Sequence, residues 1–294
     1  MLKEKIKNIY EKHYKILLGL TFLMLVLAIG QIAYQYTTTG DFVNKGISLK
    51  GGSTITFSYE NPQNIFSLEN ALKAEFPGAD IGIRTISSAG TVTSYALDSN
   101  IQENKKIDAL ILALKEKAQL QPEDYSVEIV DSSLGASFFM QTAFALGAAF
   151  LLMAIVVFIY FRLAIPSLAV ILSAFSDIVT TLAVFNLTGI KLSTAGVAAF
   201  LMLVGYSVDT DMLLSARVLK RQEGTIMEKV YGAIKTGMVM TTTTLVAVVV
   251  ALIFVHNEVV KQIMIILFIG LIVDILNTWI QNVGILRWYV EKKK

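Results

Sequence analysis

Residues Val197 to Arg217 read VAAFLMLVGYSVDTDMLLSAR, an apolar run of bilayer-spanning length with two carboxylates set into it. An ionised side chain at mid-bilayer costs at least ~2.5–3.5 kcal/mol. A segment that only anchors has no use for two of them. The chain therefore reads as an integral-membrane protein organised around this helix. Its Ala and Gly residues mark where another helix would approach closely.

Composition agrees. Of 294 residues, 54% are hydrophobic and 16% charged, outside the soluble globular range. The net charge of +2 points to neither nucleic acid nor an acidic ligand. With no cysteine and two histidines, disulfides are excluded and a dedicated transition-metal centre or cofactor is not expected.

In chain order, a basic tail at 1–15 precedes the apolar run Ile16–Tyr34. At about 19 residues this run spans a hydrocarbon core, which places a first transmembrane helix at 16–36. A cleavable signal peptide is the competing reading, but its apolar region would be shorter and followed by a small-x-small site. Residues 37–135 are polar and rich in turn residues. Alternation over Ser53–Tyr59 marks a strand, and Leu68, Ala71, Leu72 and Phe76 recur at helical spacing, with Ser67 as expected N-cap. Strand-like Asp80–Ser87 and Thr91–Leu97 flank Ser88-Ala89-Gly90. A second helix comes next at Ile107–Leu114, then a strand at Tyr125–Val130. The order β-α-β-β-α-β predicts an inserted α+β domain of the ferredoxin-like kind.

Residues 136–290 hold five more spans, expected at 138–161, 167–187, 192–214, 236–255 and 260–286, before a short basic tail at 291–294. The fold class is thus six transmembrane helices plus an inserted ferredoxin-like domain. The stretch Gln222–Lys235 reads either as an amphipathic segment or as a solvated loop. Lys and Arg concentrate in the N-terminal tail, at Arg162, between Arg217 and Lys235, and in the C-terminal tail, whereas the opposite short loops offer only Lys191 and Lys261. The positive-inside rule then puts both termini in the cytoplasm and 37–135 outside a cell membrane.

Four acids are candidates for chemistry. Asp177 lies about 10 residues into the third helix, near mid-bilayer, and Asp274 is central in the sixth, with Asn277 and Gln281 on neighbouring turns. In a fourth helix spanning 192–214, Asp209 and Asp211 fall roughly 9 and 12 Å from the middle. Two residues apart, they point about 200° apart, so they do not line one pathway. Asp211 shares a face with Ser207 and Ser215, suited to a hydrated path or a partner helix. Asp209 shares one with Gly205, where packing is expected. Any one of the four reads also as a neutral packing residue, and Asp209 or Asp211 could pair with Arg217. Four acids on three helices together suit proton transfer. Gly51-Gly52 precedes a strand rather than a helix, so a phosphate cradle is not expected.

The motifs Tyr160-Phe161-Arg162, Pro166, Ser176-Asp177, Thr180, Ile190-Lys191-Leu192-Ser193-Thr194 and Gly205-Tyr206-Ser207-Val208 together resemble the SecF family of protein-export membrane proteins. Gly46-Ile47-Ser48-Leu49-Lys50-Gly51-Gly52-Ser53 is similar to that family's Gly-Ile-Asp-Phe-x-Gly-Gly-Thr signature, and Ser133-Leu134-Gly135 also fits. The resemblance covers the whole chain. It implies a non-enzymatic subunit that works with SecD, the Sec translocon channel and preprotein, a resistance-nodulation-division membrane fold, and use of the proton gradient. Where bacterial relatives read Gly-Tyr-Ser-x-Asn-Asp-Thr, this chain has Gly205-Tyr206-Ser207-Val208-Asp209-Thr210-Asp211, and Thr236 stands where an Arg is usual. These departures look archaeal. Asp177 matches the family's acid directly. A proton-coupled small-molecule or lipid exporter half, and a membrane-anchored scaffold, are the competing functions.

Overall fold

A computed structural model describes residues 10–58, 65–88, 91–118, 120, 124–220, 223–255 and 257–293. Residues 1–9 and 294 of the basic tails, Tyr59, Ala89-Gly90 of the expected hairpin, Arg221, Gln222 and His256 lie outside the described residues.

Among the described residues, six helices are long and apolar enough to cross a membrane. They are α1 (Tyr14–Thr39), α5 (Ser132–Phe161), α6 (Ala164–Leu187), α7 (Thr194–Lys220), α8 (Ile226–Phe254) and a composite last span. The last begins as α9 (Glu258–Leu276), passes through a π-helical turn at Asn277–Asn282, and ends as α10 (Val283–Lys293). Over their most apolar stretches α6 and α7 bury 56% and 50% of their residues, whereas α1, α5 and α8 bury 17%, 11% and 17%. The two helices richest in buried Ser, Thr and Asp are therefore the centre of the bundle, with apolar faces turned outward.

Several helix ends differ from the sequence expectation. α5 starts at Ser132 rather than 138, because Asp131 caps it: its side chain accepts from Ser133 N–H at 2.7 Å. Hydrogen bonds from the Ser133 hydroxyl and backbone hold the Asp131 carboxyl below the ordinary range. α6 starts before Pro166, which a first helical turn tolerates. Of the stretch Glu223–Lys235, residues 226–235 are helical with Val230 and Ala233 buried, so the loop reading is corrected there. Thr225 and Glu228 form a capping box, with Thr225 N–H reaching Glu228 Oε2 at 2.8 Å, and α8 runs unbroken from Ile226.

Between α1 and α5 lies a four-stranded antiparallel sheet of β1 (Gly52–Phe57), β2 (Gly82–Ser88), β3 (Thr91–Ser99) and β4 (Tyr125–Val130), ordered β2-β3-β1-β4. Helices α3 (Ile65–Glu75) and α4 (Asn104–Ala118) cover one face. Ile55, Phe57 and Leu97 alternate inward against Leu68, Leu72, Leu110 and Leu114. α3 begins two residues before Ser67, so Ser67 is not its N-cap.

A one-turn helix, α2 (Ile47–Lys50), joins α1 to the sheet. Gly46 N–H donates to Leu192 O at 2.8 Å, which ties this joint to the α6–α7 loop. Gly51 closes α2 at φ 84°, ψ 165°, a region open essentially to glycine alone. A Cβ there would lie 2.5 Å from Ser132 Cα, and one on Gly135 would lie 2.6 Å from Gly51 N. Gly52, at φ 145°, leaves no room for a Cβ beside Ser99 O. The glycine pair lets α2, β1 and the start of α5 cross at backbone contact. Gly51→Ala is expected to cost about 1–3 kcal/mol, read as a lower thermal midpoint of the purified protein. An unchanged midpoint would refute the strain argument.

Candidate functional site

Polar side chains from α6, α7 and the last span converge in the middle of the bundle. Asp177, Asp211, Asn277, Thr278, Gln281 and Asn282 are fully buried, and Asp274 and Thr210 nearly so. Ser207 Oγ donates to Asp177 Oδ2 at 2.5 Å, and Asn277 Nδ2 donates to Asp177 Oδ1 at 2.8 Å. Asn282 Nδ2 donates to Asp211 Oδ1 at 2.7 Å. Thr278 Oγ1 lies 3.0 Å from Asp274 Oδ1, and Thr210 Oγ1 lies 3.1 Å from it and 2.9 Å from the Ser207 carbonyl. Gln281 Nε2 donates to Ser176 Oγ at 3.0 Å, extending the network toward α6.

The observed helix also sets the depth of the acids. With α7 spanning Thr194–Lys220, Asp209 and Asp211 lie roughly 3 and 6 Å from its midpoint, nearer the centre than the shorter sequence span implies.

Every donor to the three carboxyls is a hydroxyl or a primary amide. Among the described residues no Lys, Arg or His makes a hydrogen bond or ion pair with any of them. Arg217 donates instead to Thr236 Oγ1 at 2.8 Å and to the Gly232 carbonyl, so it does not partner either α7 acid. A buried carboxyl surrounded by neutral donors and by other carboxyls can accept and release a proton, with the hydroxyls and amides reorienting around it. No cluster of three or more His, Cys, Asp or Glu among the described residues is spaced to hold a metal ion.

Three of the four acids singled out from the sequence, Asp177, Asp211 and Asp274, meet in this network, together with Ser207. Asp209 does not. It is exposed, as is Gly205, whose Cβ position has nothing within 4 Å, and Tyr206 is 42% exposed on the same side. The expected packing of Asp209 against a helix approaching Gly205 is thus corrected. Among the described residues, no helix of this chain covers that face. Asp211 takes the hydrogen-bonded interior position instead. Gly51 and Gly52 belong to the joint between α2, β1 and α5, remote from the acids in sequence and role.

Thr278 and Asn282 are members of the site that sequence reasoning does not single out, and Thr210 enters it there only as part of the Gly205–Asp211 motif. Their signal is present: Asp274, Asn277, Thr278, Gln281 and Asn282 place five polar side chains within one short stretch of an apolar span. What periodicity does not carry is the π-turn. An inserted residue shifts the phase of the rest of the helix by about 100°. That shift lets the helix that serves Asp177 with Asn277 and Asp274 with Thr278 reach Asp211 with Asn282 as well.

The chain has close relatives of known family. A family described as protein export membrane protein SecD/SecF, C-terminal, matches residues 110–292. The protein-export membrane protein SecF of Pyrococcus furiosus is 37% identical over 100% of this chain and 97% of its own length. That of Methanolacinia petrolearia is 40% identical over 97% and 96%. Among solved structures, SecDF from Thermus thermophilus, a translocon-associated membrane protein, superposes with a TM-score of 0.75 at 17% identity. It covers 94% of this chain, which spans 38% of that longer one. At that identity the likeness concerns the fold.

Proposed function

The chain belongs to the SecF family of protein-export membrane proteins, and on that premise we propose that it is an accessory subunit of the Sec machinery coupled to the proton gradient. It is a multi-pass membrane protein. The observation that carries the coupling is the network of Asp177, Asp211 and Asp274, buried across three helices and, among the described residues, hydrogen-bonded to neutral donors alone. A static anchor gains nothing from burying three acids without a base. Protonation and deprotonation there would exchange which hydroxyl or amide each carboxyl holds, and so bias the relative positions of α6, α7 and the last span.

SecD is the proposed partner. The uncovered strip of α7 that carries Gly205, Tyr206 and Asp209 near mid-span supports this, because a carboxyl facing lipid is costly and a partner helix would supply donors. The β2-β3-β1-β4 order of the antiparallel sheet supports the ferredoxin-like reading of 37–135, and the lysine and arginine distribution supports its placement outside the cell, toward emerging preprotein. Vesicles holding the translocon, this chain and its SecD partner should complete export faster under an imposed proton gradient than after a protonophore collapses it. Equal rates would end the coupling proposal. Protease added outside sealed cells should cut only within 37–135, and cleavage of a terminal tag would overturn the orientation.

A further inference from the structure

The π-turn that arranges the acids is held from outside its own helix. At its end, Val283 N–H bonds to Thr278 O and Ile280 O, passing over the carbonyl of Trp279. That carbonyl is thereby without its usual i+4 helical donor and can take another. The Tyr10 phenol supplies it, donating to Trp279 O at 2.6 Å. The Trp279 side chain is fixed as well: its indole occupies the space that a Cβ on Gly237 of α8 would fill. Tyr10 is in turn fastened to the extension of the same span. Arg287, on α10, donates from Nη2 to Glu11 O at 3.0 Å and lies 4.1 Å above the Tyr14 ring. Tyr14 donates to Glu291 at 2.7 Å, and Tyr231 of α8 donates to Glu11 Oε1 at 2.9 Å.

We propose that the segment Tyr10–Tyr14 is a clamp on the proton site, with Tyr10 the positioning residue that holds the last span in its π register. The clamp rests on the proton-coupling reading of the acid network. Its logic is geometric. Asn277 and Thr278 enter the turn on the α9 side, so their bonds to Asp177 and Asp274 do not depend on the extra residue. Gln281 and Asn282 leave it on the other side. Return of the turn to α-helix rotates the remainder of the span by about 100° and withdraws Asn282 from Asp211 and Gln281 from Ser176. Tyr10 stabilises the register in which all three carboxyls are served. Displacing the N-terminal segment, by a partner or by movement of α1, frees Trp279 O and releases Asp211 selectively. A signal at the membrane surface is thereby turned into a change at one acid of the three.

The test uses the full chain in nanodiscs and needs no transport. Tyr10→Phe removes one oxygen and keeps the ring. Amide hydrogen exchange at 280–284 should rise about tenfold, the scale of one hydrogen bond, while exchange in α7 stays as in the wild type. Tyr14→Phe, which loses the Glu291 contact but leaves the Trp279 carbonyl bonded, should leave 280–284 unchanged. By infrared difference spectroscopy, the band assigned to Asp211 through its loss in Asp211→Asn should move in Tyr10→Phe to where Asn282→Leu puts it. The Asp177 band should stay in place. Unchanged exchange and an unmoved Asp211 band in Tyr10→Phe would overturn the clamp, as would equal shifts of both acids. Because these signals are read in either protonation state, failure of gradient-driven export would refute the coupling and leave the clamp standing or falling on its own result.

Discussion

Asp177→Asn is expected to reduce gradient-driven export to near the level of vesicles lacking the protein, while the variant folds and binds its partner normally. The asymmetry between the two effects comes from the neighbours. Ser207 can still donate to the amide oxygen at position 177. Asn277 Oδ1 has no partner among the described residues, so the Asn277 amide can turn and accept from the new NH2 group. The hydrogen bonds are thus rebuilt at little cost. What is lost is the group proposed to exchange a proton, and no hydroxyl or amide within reach replaces it. The measurement pairs export into vesicles, with and without a gradient, with the thermal midpoint of the purified subunit. Wild-type export under an intact gradient would remove Asp177 from any required relay. A collapsed midpoint would show its role to be structural.

The presence of the site is legible in the sequence because charge in an apolar run has few explanations. Asp177 and Asp274 stand out on that ground alone, and so do the six spans. The ends of the spans are less legible, because hydropathy reports the part of a helix in hydrocarbon and not the part beyond it. α8 extends ten residues past its apolar run on the strength of the Thr225–Glu228 capping box, and α5 begins at an aspartate cap. The register of the last span is out of reach altogether. Nothing in Asn277-Thr278-Trp279-Ile280-Gln281-Asn282 requires an i→i+5 turn. It is imposed by where α6 and α7 place their acids and by a phenol from the far end of the chain. Gly205 misleads for a related reason. A small residue in a membrane helix marks a surface where close approach is possible, but not whether the approaching helix belongs to the same chain.

That ambiguity makes the pair Asp209 and Asp211 the sharpest remaining discriminator. Asp211→Leu is expected to destabilise the isolated subunit by about 1–3 kcal/mol, because the buried Asn282 amide loses its acceptor and finds no water. Asp209→Leu is expected to change the stability of the isolated subunit by less than about 0.5 kcal/mol, as exposed substitutions do. It should weaken capture of the proposed SecD partner, since the strip of α7 with Tyr206 and Gly205 is, among the described residues, an uncovered surface on which a partner helix would meet a carboxyl. The chain has no cysteine, so single cysteines report these positions directly. In detergent, a thiol reagent should label Cys at 209 in the lone subunit and lose access when the partner is bound, while Cys at 211 stays unlabelled in both states. Labelling at 211 with protection at 209 in the lone subunit would reverse the two faces of α7. Labelling at 209 that the partner leaves untouched would move the partner interface elsewhere on the bundle.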